Sequence, residues 1–116
     1  MAPRTDLLPG TLDMLVMKAL SHGPNHGYGV ANRIRPISNE ALHVEEGSLY
    51  PALHRLEKRG YLTSDWRRSD SNRRAKYYHL TPKGRRQLKS AEASWNQLSA
   101  AIGKVMNARA AVLTGA

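Results

Sequence analysis

Six apolar residues near the end of the chain, Leu88, Ala91, Trp95, Leu98, Ile102 and Val105, are separated by 3, 4, 3, 4 and 3 positions. That spacing is the seam of a coiled coil, a single apolar stripe along one helix. It constrains the fold more than any other feature. A helix carrying the whole stripe is longer than the ~80 residues before it can cover along its length. The expectation is therefore an intermolecular seam, and with it a homodimer. Packing of the stripe on the chain's own core is the alternative reading.

The preceding residues divide into shorter periodic pieces. Leu12, Leu15, Val16, Ala19 and Leu20 share one face of a helix, which Gly10 or Thr11 caps and Gly23-Pro24 stops. A second helix is expected to start from Asn25 as its cap, to present Tyr28, Ala31 and Ile34 inward, and to end at Pro36. In a third, Leu49, Ala52, Leu53 and Leu56 face inward and Gly60 supplies a left-handed stop. The pattern then changes to "YLTSDWRR" and "AKYYHL", short aromatic segments around the polar "SDSNRR". Alternation of Leu62, Ser64 and Trp66 with Tyr61, Thr63 and Asp65 makes them a β-hairpin. Thr81-Pro82 then opens the last helix with a hydroxyl cap and a proline whose missing N–H costs nothing there. The fold class that results is mainly α with a small β-hairpin. It comprises a winged helix-turn-helix over residues 1–81 and a dimerisation helix and tail over 82–116.

Charge sharpens the functional reading. The net charge is +9. From His54 to Lys89, twelve Lys and Arg stand against only Glu57, Asp65 and Asp70, so this segment carries the entire excess. Solubility does not require such concentration, whereas a polyanionic partner, most often nucleic acid, rewards it. There is no cysteine, which excludes disulfides and thiolate metal sites. No apolar run approaches a membrane span, and the leading "MAPRTDLLPG" lacks the apolar segment of a secretory signal, so the expected location is cytoplasmic.

The outward face of the third helix is where base reading would occur. With Leu49 inward, the opposite arc holds Gly47, Pro51, His54 and Lys58, flanked by Ser48, Tyr50 and Arg55. If Glu45 or Glu46 caps this helix, Pro51 falls near the end of its first turn, where backbone N–H groups have no intrahelical partner. Those open N–H groups would also favour phosphate. Recognition helices enter the major groove N-terminus first. Pro51 and Tyr50 are then expected near thymine methyls, Arg55 and Lys58 near guanine edges or phosphate, Ser48 near base or backbone, and His54 in a stacking or exposed position. Arg73, Arg74 and Lys76 at the hairpin are expected to follow a phosphate backbone or enter a minor groove. Each residue alone is an ordinary solvated side chain; the helix and hairpin together point to DNA.

Other chemistries find little support. "HGYGVAN" has two glycines but neither a preceding strand nor the third glycine of a nucleotide loop. His22 and His26 are separated by Gly23-Pro24 and cannot share a helical face, and the nine acids form no evident catalytic pair. An enzyme, a cofactor and a bound metal are therefore not expected. The competing reading is a winged helix whose basic face meets an acidic protein or RNA.

The segments "GTLDMLVMKALSHGPNHGYGVANRI", "VEEGSLYPALHRLEKRGYLTSDW" and "NRRAKYYHLTPKGRRQL" resemble, in order and spacing, the PadR-like transcriptional regulators. The resemblance runs from about Gly10 to Val105. It implies a bacterial dimeric repressor of the short subfamily, with a single C-terminal helix and nothing after Ala116 to build a larger effector domain. It also implies that Ser48-Leu49-Tyr50-Pro51 and the wing around Arg73-Arg74 touch DNA. In some short members a tryptophan at the position of Trp95 faces its symmetry mate across a pore that accepts flat aromatic compounds. Trp95 is thus a candidate for holding a small aromatic effector, with ordinary dimer packing as the alternative.

Overall fold

The computed structural model describes residues 10–68 and 70–115. Residues 1–9, on which the expectation of no secretory signal rests, Ser69 and Ala116 lie outside them. Five helices and three strands follow in the order α1 (Thr11–Leu20), β1 (Asn25–His26), α2 (Gly27–Ile37), α3 (Glu46–Lys58), β2 (Leu62–Arg68), β3 (Arg74–Leu80), α4 (Pro82–Met106) and α5 (Ala110–Leu113). This is the winged helix expected, mainly helical with one small antiparallel sheet of order β1-β3-β2. No helix among the described residues is long and apolar enough to cross a membrane.

The core follows the helical periods. Leu12, Val16, Met17 and Leu20 of α1 meet Val30 and Ile34 of α2 and Leu49, Ala52, Leu53 and Leu56 of α3, closed by Leu62, Tyr78 and Leu88. Each fully buried Leu among them contributes about 1.5–3 kcal/mol of apolar burial. In a chain without Phe, that burial must do most of the stabilising. The Tyr78 ring is part of this core, and burial raises its phenol above the ordinary value.

α2 departs from expectation in three ways. Its cap is His26 rather than Asn25: the His26 Nδ1 accepts the Gly29 N–H at 3.0 Å. Asn25 and His26 instead form a two-residue strand opposite Tyr78 and Tyr77, an addition to the hairpin too short to show any period. Tyr28, expected on the inward face, is exposed, and Val30 occupies the core in its place. The helix also runs one residue past Pro36, which loses only one backbone bond in the last turn.

The hairpin is fastened at its base. Leu62 pairs with Leu80 and Ser64 with Tyr78, so residues 62, 64, 66 and 68 share a face with 74, 76, 78 and 80. That face turns toward α3: the Ser64 hydroxyl donates to Glu57 Oε2, and Lys76 Nζ donates to Glu57 Oε1 at 3.3 Å. Gly60, at φ +82°, makes the turn between α3 and β2, as its position predicted. At the same base the end of β3 runs into α4 through Thr81, whose hydroxyl accepts the Gly84 N–H and donates to the Gly60 carbonyl.

α4 is divided by its surroundings. Leu88 is 6% exposed and packed in the chain's own core, although the spacing made it the first residue of the seam. Ala91 is half-buried, and Glu92 pairs with Lys18 of α1 at 3.1 Å. From Trp95 onward the stripe is exposed among the described residues: Leu98, Ile102 and Val105 are all more than half exposed. α4 begins at Pro82, and its first two turns belong to the same core as the three helices before it.

Two tests follow from this packing. A Cβ on Gly84 would lie 2.2 Å from the Tyr61 carbonyl oxygen and 2.6 Å from Leu80 Cδ1. Gly84→Ala must shift α4 against the wing, and thermal unfolding should show a loss on the order of 1–3 kcal/mol. The second concerns Glu57, whose carboxyl lies below its ordinary value of 4.5, held there by the Ser64 hydroxyl and Lys76 against the opposing effect of burial. A carboxyl lowered on folding stabilises above its ordinary value and loses that contribution as pH falls through the lowered one. Glu57→Gln should therefore cost roughly 1 kcal/mol at neutral pH. The gap from wild type should close as denaturation curves are taken down through pH 4.5 and below.

Candidate nucleic-acid interface

α3 is built to be exposed along one side. Its inward stripe is fully buried, while Gly47, Ser48, Pro51, His54, Arg55 and Lys58 are solvent-exposed. Tyr50 is only partly so. Its ring lies against the start of α2, where a Cβ on Gly27 would sit 3.0 Å from Tyr50 Cε1.

Pro51 is not in the first turn. With Glu45 as N-cap, it is the sixth helical residue, beyond the naturally free N–H groups. Its missing donor leaves the Gly47 carbonyl without the usual i+4 partner. Gly47 is exposed, and a Cβ built on it would meet nothing within 4 Å outside its own helix, so solvent or a ligand can reach that oxygen. The N–H of Ser48, one of those expected to be open to phosphate, bonds to the Glu45 carbonyl at 3.0 Å. The start of α3 is thus a poorer phosphate cradle than its sequence suggested.

Long-range ion pairs sort the cations. Arg55 Nη2 donates to Asp13 of α1 at 2.8 Å, so the expected base-reading arginine is held toward α1. Lys76 lies at the base of the wing, engaged by Glu57, rather than at its tip. Lys83 donates to the Arg59 carbonyl at 2.9 Å and Arg85 to the Ser21 carbonyl at 3.1 Å, completing the ends of α3 and α1. Arg67 is held on the outer face of the wing by Asp65 and lies 4.7 Å above the Tyr77 ring. Asp65 accepts from His79 as well as Arg67, and these two bonds, His79 first, hold its carboxyl below the ordinary value. A large part of the basic run is therefore structural.

The polar and basic side chains left facing solvent form a clearer surface. His54 and Lys58 lie on α3, and Arg73 and Arg74 at the wing. Arg68 is tethered to the turn by bonds to the Asn72 carbonyl and side chain. Asn72 itself adopts φ +62°, which gives the tip a tight left-handed bend. α2 borders both the start of α3 and the tip of the wing. Its exposed Tyr28 and Asn32 line both the cleft beside the start of α3 and the cleft beside Arg73 and Arg74. Residue spacing does not reveal this, because Tyr28 falls on an apolar helical period.

Comparison with known proteins agrees with this geometry. Residues 16–90 match the Transcriptional regulator PadR-like family. A solved transcriptional regulator from Clostridium thermocellum is 31% identical, with 86% of this chain and 97% of that one covered at a TM-score of 0.77. A PadR family transcriptional regulator from Eggerthella lenta is 35% identical over 86% of this chain and 85% of its own, at a TM-score of 0.71. A transcriptional regulator of Mycobacterium tuberculosis is 34% identical over 80 residues, 69% of this chain and 74% of the relative. The winged helix, the solvent-facing α3 and these matches lead to one conclusion: the chain belongs to the PadR-like family and is a DNA-binding transcriptional regulator.

Proposed function

We infer that the protein is a homodimeric repressor that binds a pseudo-palindromic operator. Each protomer sets α3 in a major groove, with Ser48, Tyr50, Pro51, His54 and Lys58 leading, while Arg73 and Arg74 of the wing follow the adjacent backbone. Arg55 reaches a base or phosphate only by sharing or leaving Asp13, and Lys76 acts mainly by holding the wing on α3. One observation supports the dimer above all: Trp95, Leu98, Ile102 and Val105 form an exposed apolar stripe on a helix already rooted in the core. Exposed apolar stripes of this length are interaction surfaces. A second copy supplies the matching 3-4 pattern. Trp95, at the near end of the stripe, would hold a flat aromatic effector against its symmetry mate and release the operator.

Footprinting upstream of the protein's own gene, repeated over a salt series, tests the reading. A protected site with half-sites about one helical turn apart is expected. No preference over random duplex would sink the repressor assignment and favour an acidic protein or RNA as partner. The double substitution Arg73→Ala, Arg74→Ala should weaken binding and flatten the salt slope by roughly one to two units if both touch phosphate. Trp95→Asp would bury an unpaired charge in the seam and should give monomers in sedimentation; a dimer that survives it would rule the stripe out as the interface.

A further inference from the structure

Trp66 is unusual on this surface. It stands on the face of the wing that turns toward α3, two residues beyond Ser64 and directly opposite Lys76, both of which bond to Glu57. Tyr78 and Leu62, nearer the base of that face, are buried, whereas Trp66 remains 58% exposed. Its ring partner among the described residues is a cation: the Arg74 guanidinium carbon lies 5.3 Å from the ring centroid. Stacking of this kind orients the guanidinium without neutralising it, so Arg74 keeps its charge for an anion. The ring and its neighbours thus present a flat apolar surface bordered by Arg68, Arg74 and Lys76.

We propose that Trp66 is the apolar part of the wing's DNA contact. Its ring lies on the deoxyribose edge of the backbone strand that passes between α3 and the wing, while Arg74 takes the adjoining phosphate. The chemistry favours a sugar–phosphate backbone over an apolar protein surface, because cations border the ring and no second apolar side chain of the distal wing joins it. Lys76, with its charge partly answered by Glu57, fixes the strand that carries Arg74 and leaves the outermost phosphate to the two tip arginines. Contact through the ring displaces water but releases no counterions. It therefore adds affinity that is independent of salt, unlike each arginine contact.

The proposal rests on the operator reading above, and the test separates the two. Binding of the footprinted duplex is measured by titration over a salt series for the wild type, Trp66→Ala and Trp66→Phe. Trp66→Ala should weaken binding roughly tenfold, from the lost apolar burial, with the salt slope unchanged. Trp66→Phe should keep most of the affinity. The direct contact is read separately in wild-type protein carrying 5-fluorotryptophan, where fluorine NMR gives two resonances and Trp66→Phe identifies one. That resonance should move on addition of the duplex and become shielded from a soluble paramagnetic quencher. Specific binding by the wild type with an unmoved Trp66 resonance, or undiminished affinity of Trp66→Ala, overturns the proposal while leaving the operator reading intact. Loss of affinity accompanied by a flatter salt slope overturns it too, since Trp66 would then act only by orienting Arg74. Failure of the wild type to prefer any duplex removes the operator reading, and this contact with it.

Discussion

The seating of Leu49, Ala52, Leu53 and Leu56 beneath α1 and the wing is the contact on which the remaining geometry depends. It fixes the rotation of α3 about its own axis, and that rotation alone decides which side chains face solvent. One helical position of slip would move a residue by about 100° and replace Pro51 and His54 outward with Tyr50 and Leu53, or with Ala52 and Arg55. The same stripe anchors the hairpin, because Leu62 and Tyr78 complete the core that α3 begins. Recognition helix and wing are therefore oriented by one packing event.

Charge on this protein has two roles that sequence counting merges. Lys83 and Arg85 complete helix ends, Arg55 and Lys76 pair with acids on other elements, and Arg67 belongs to a cluster on the outer face. Such exposed or half-exposed pairs each add little stability, yet they place the elements relative to one another. What stays available for a polyanion is narrower than the formal excess. It is also better arranged, with cations on α3 and at the wing flanking the exposed polar edge of α2.

Much of this was legible before any coordinates, and the reasons are physical. α1, α3 and α4 carry strong 3.6-residue periods, the hairpin carries a two-residue period, and Thr81-Pro82 and Gly60 are local signals that need no tertiary context. The failures have equally local causes. A histidine ring capping a helix lies outside the usual set of hydroxyls and carboxylates, so α2 was started one residue early from Asn25. A two-residue strand has no period to read. The helical position of Pro51 is hard to read from spacing because it depends on where the helix begins, the least determinate part of an amphipathic pattern. For the candidate site, the outward face of α3 could be read from spacing. The Arg55–Asp13 and Lys76–Glu57 pairs could not, since they join residues far apart in the chain.

The double life of α4 has a mechanical consequence. Leu88 roots the helix in the core, and the stripe from Trp95 to Val105 continues along the same uninterrupted rod, with no proline after Pro82 to bend it. Between Leu88 and Val105 that rod spans about 25 Å. Whatever grips its distal half holds a lever whose short arm is the DNA-reading domain itself. A small change in angle at the grip becomes a displacement of α3, with no flexible joint in between to absorb it.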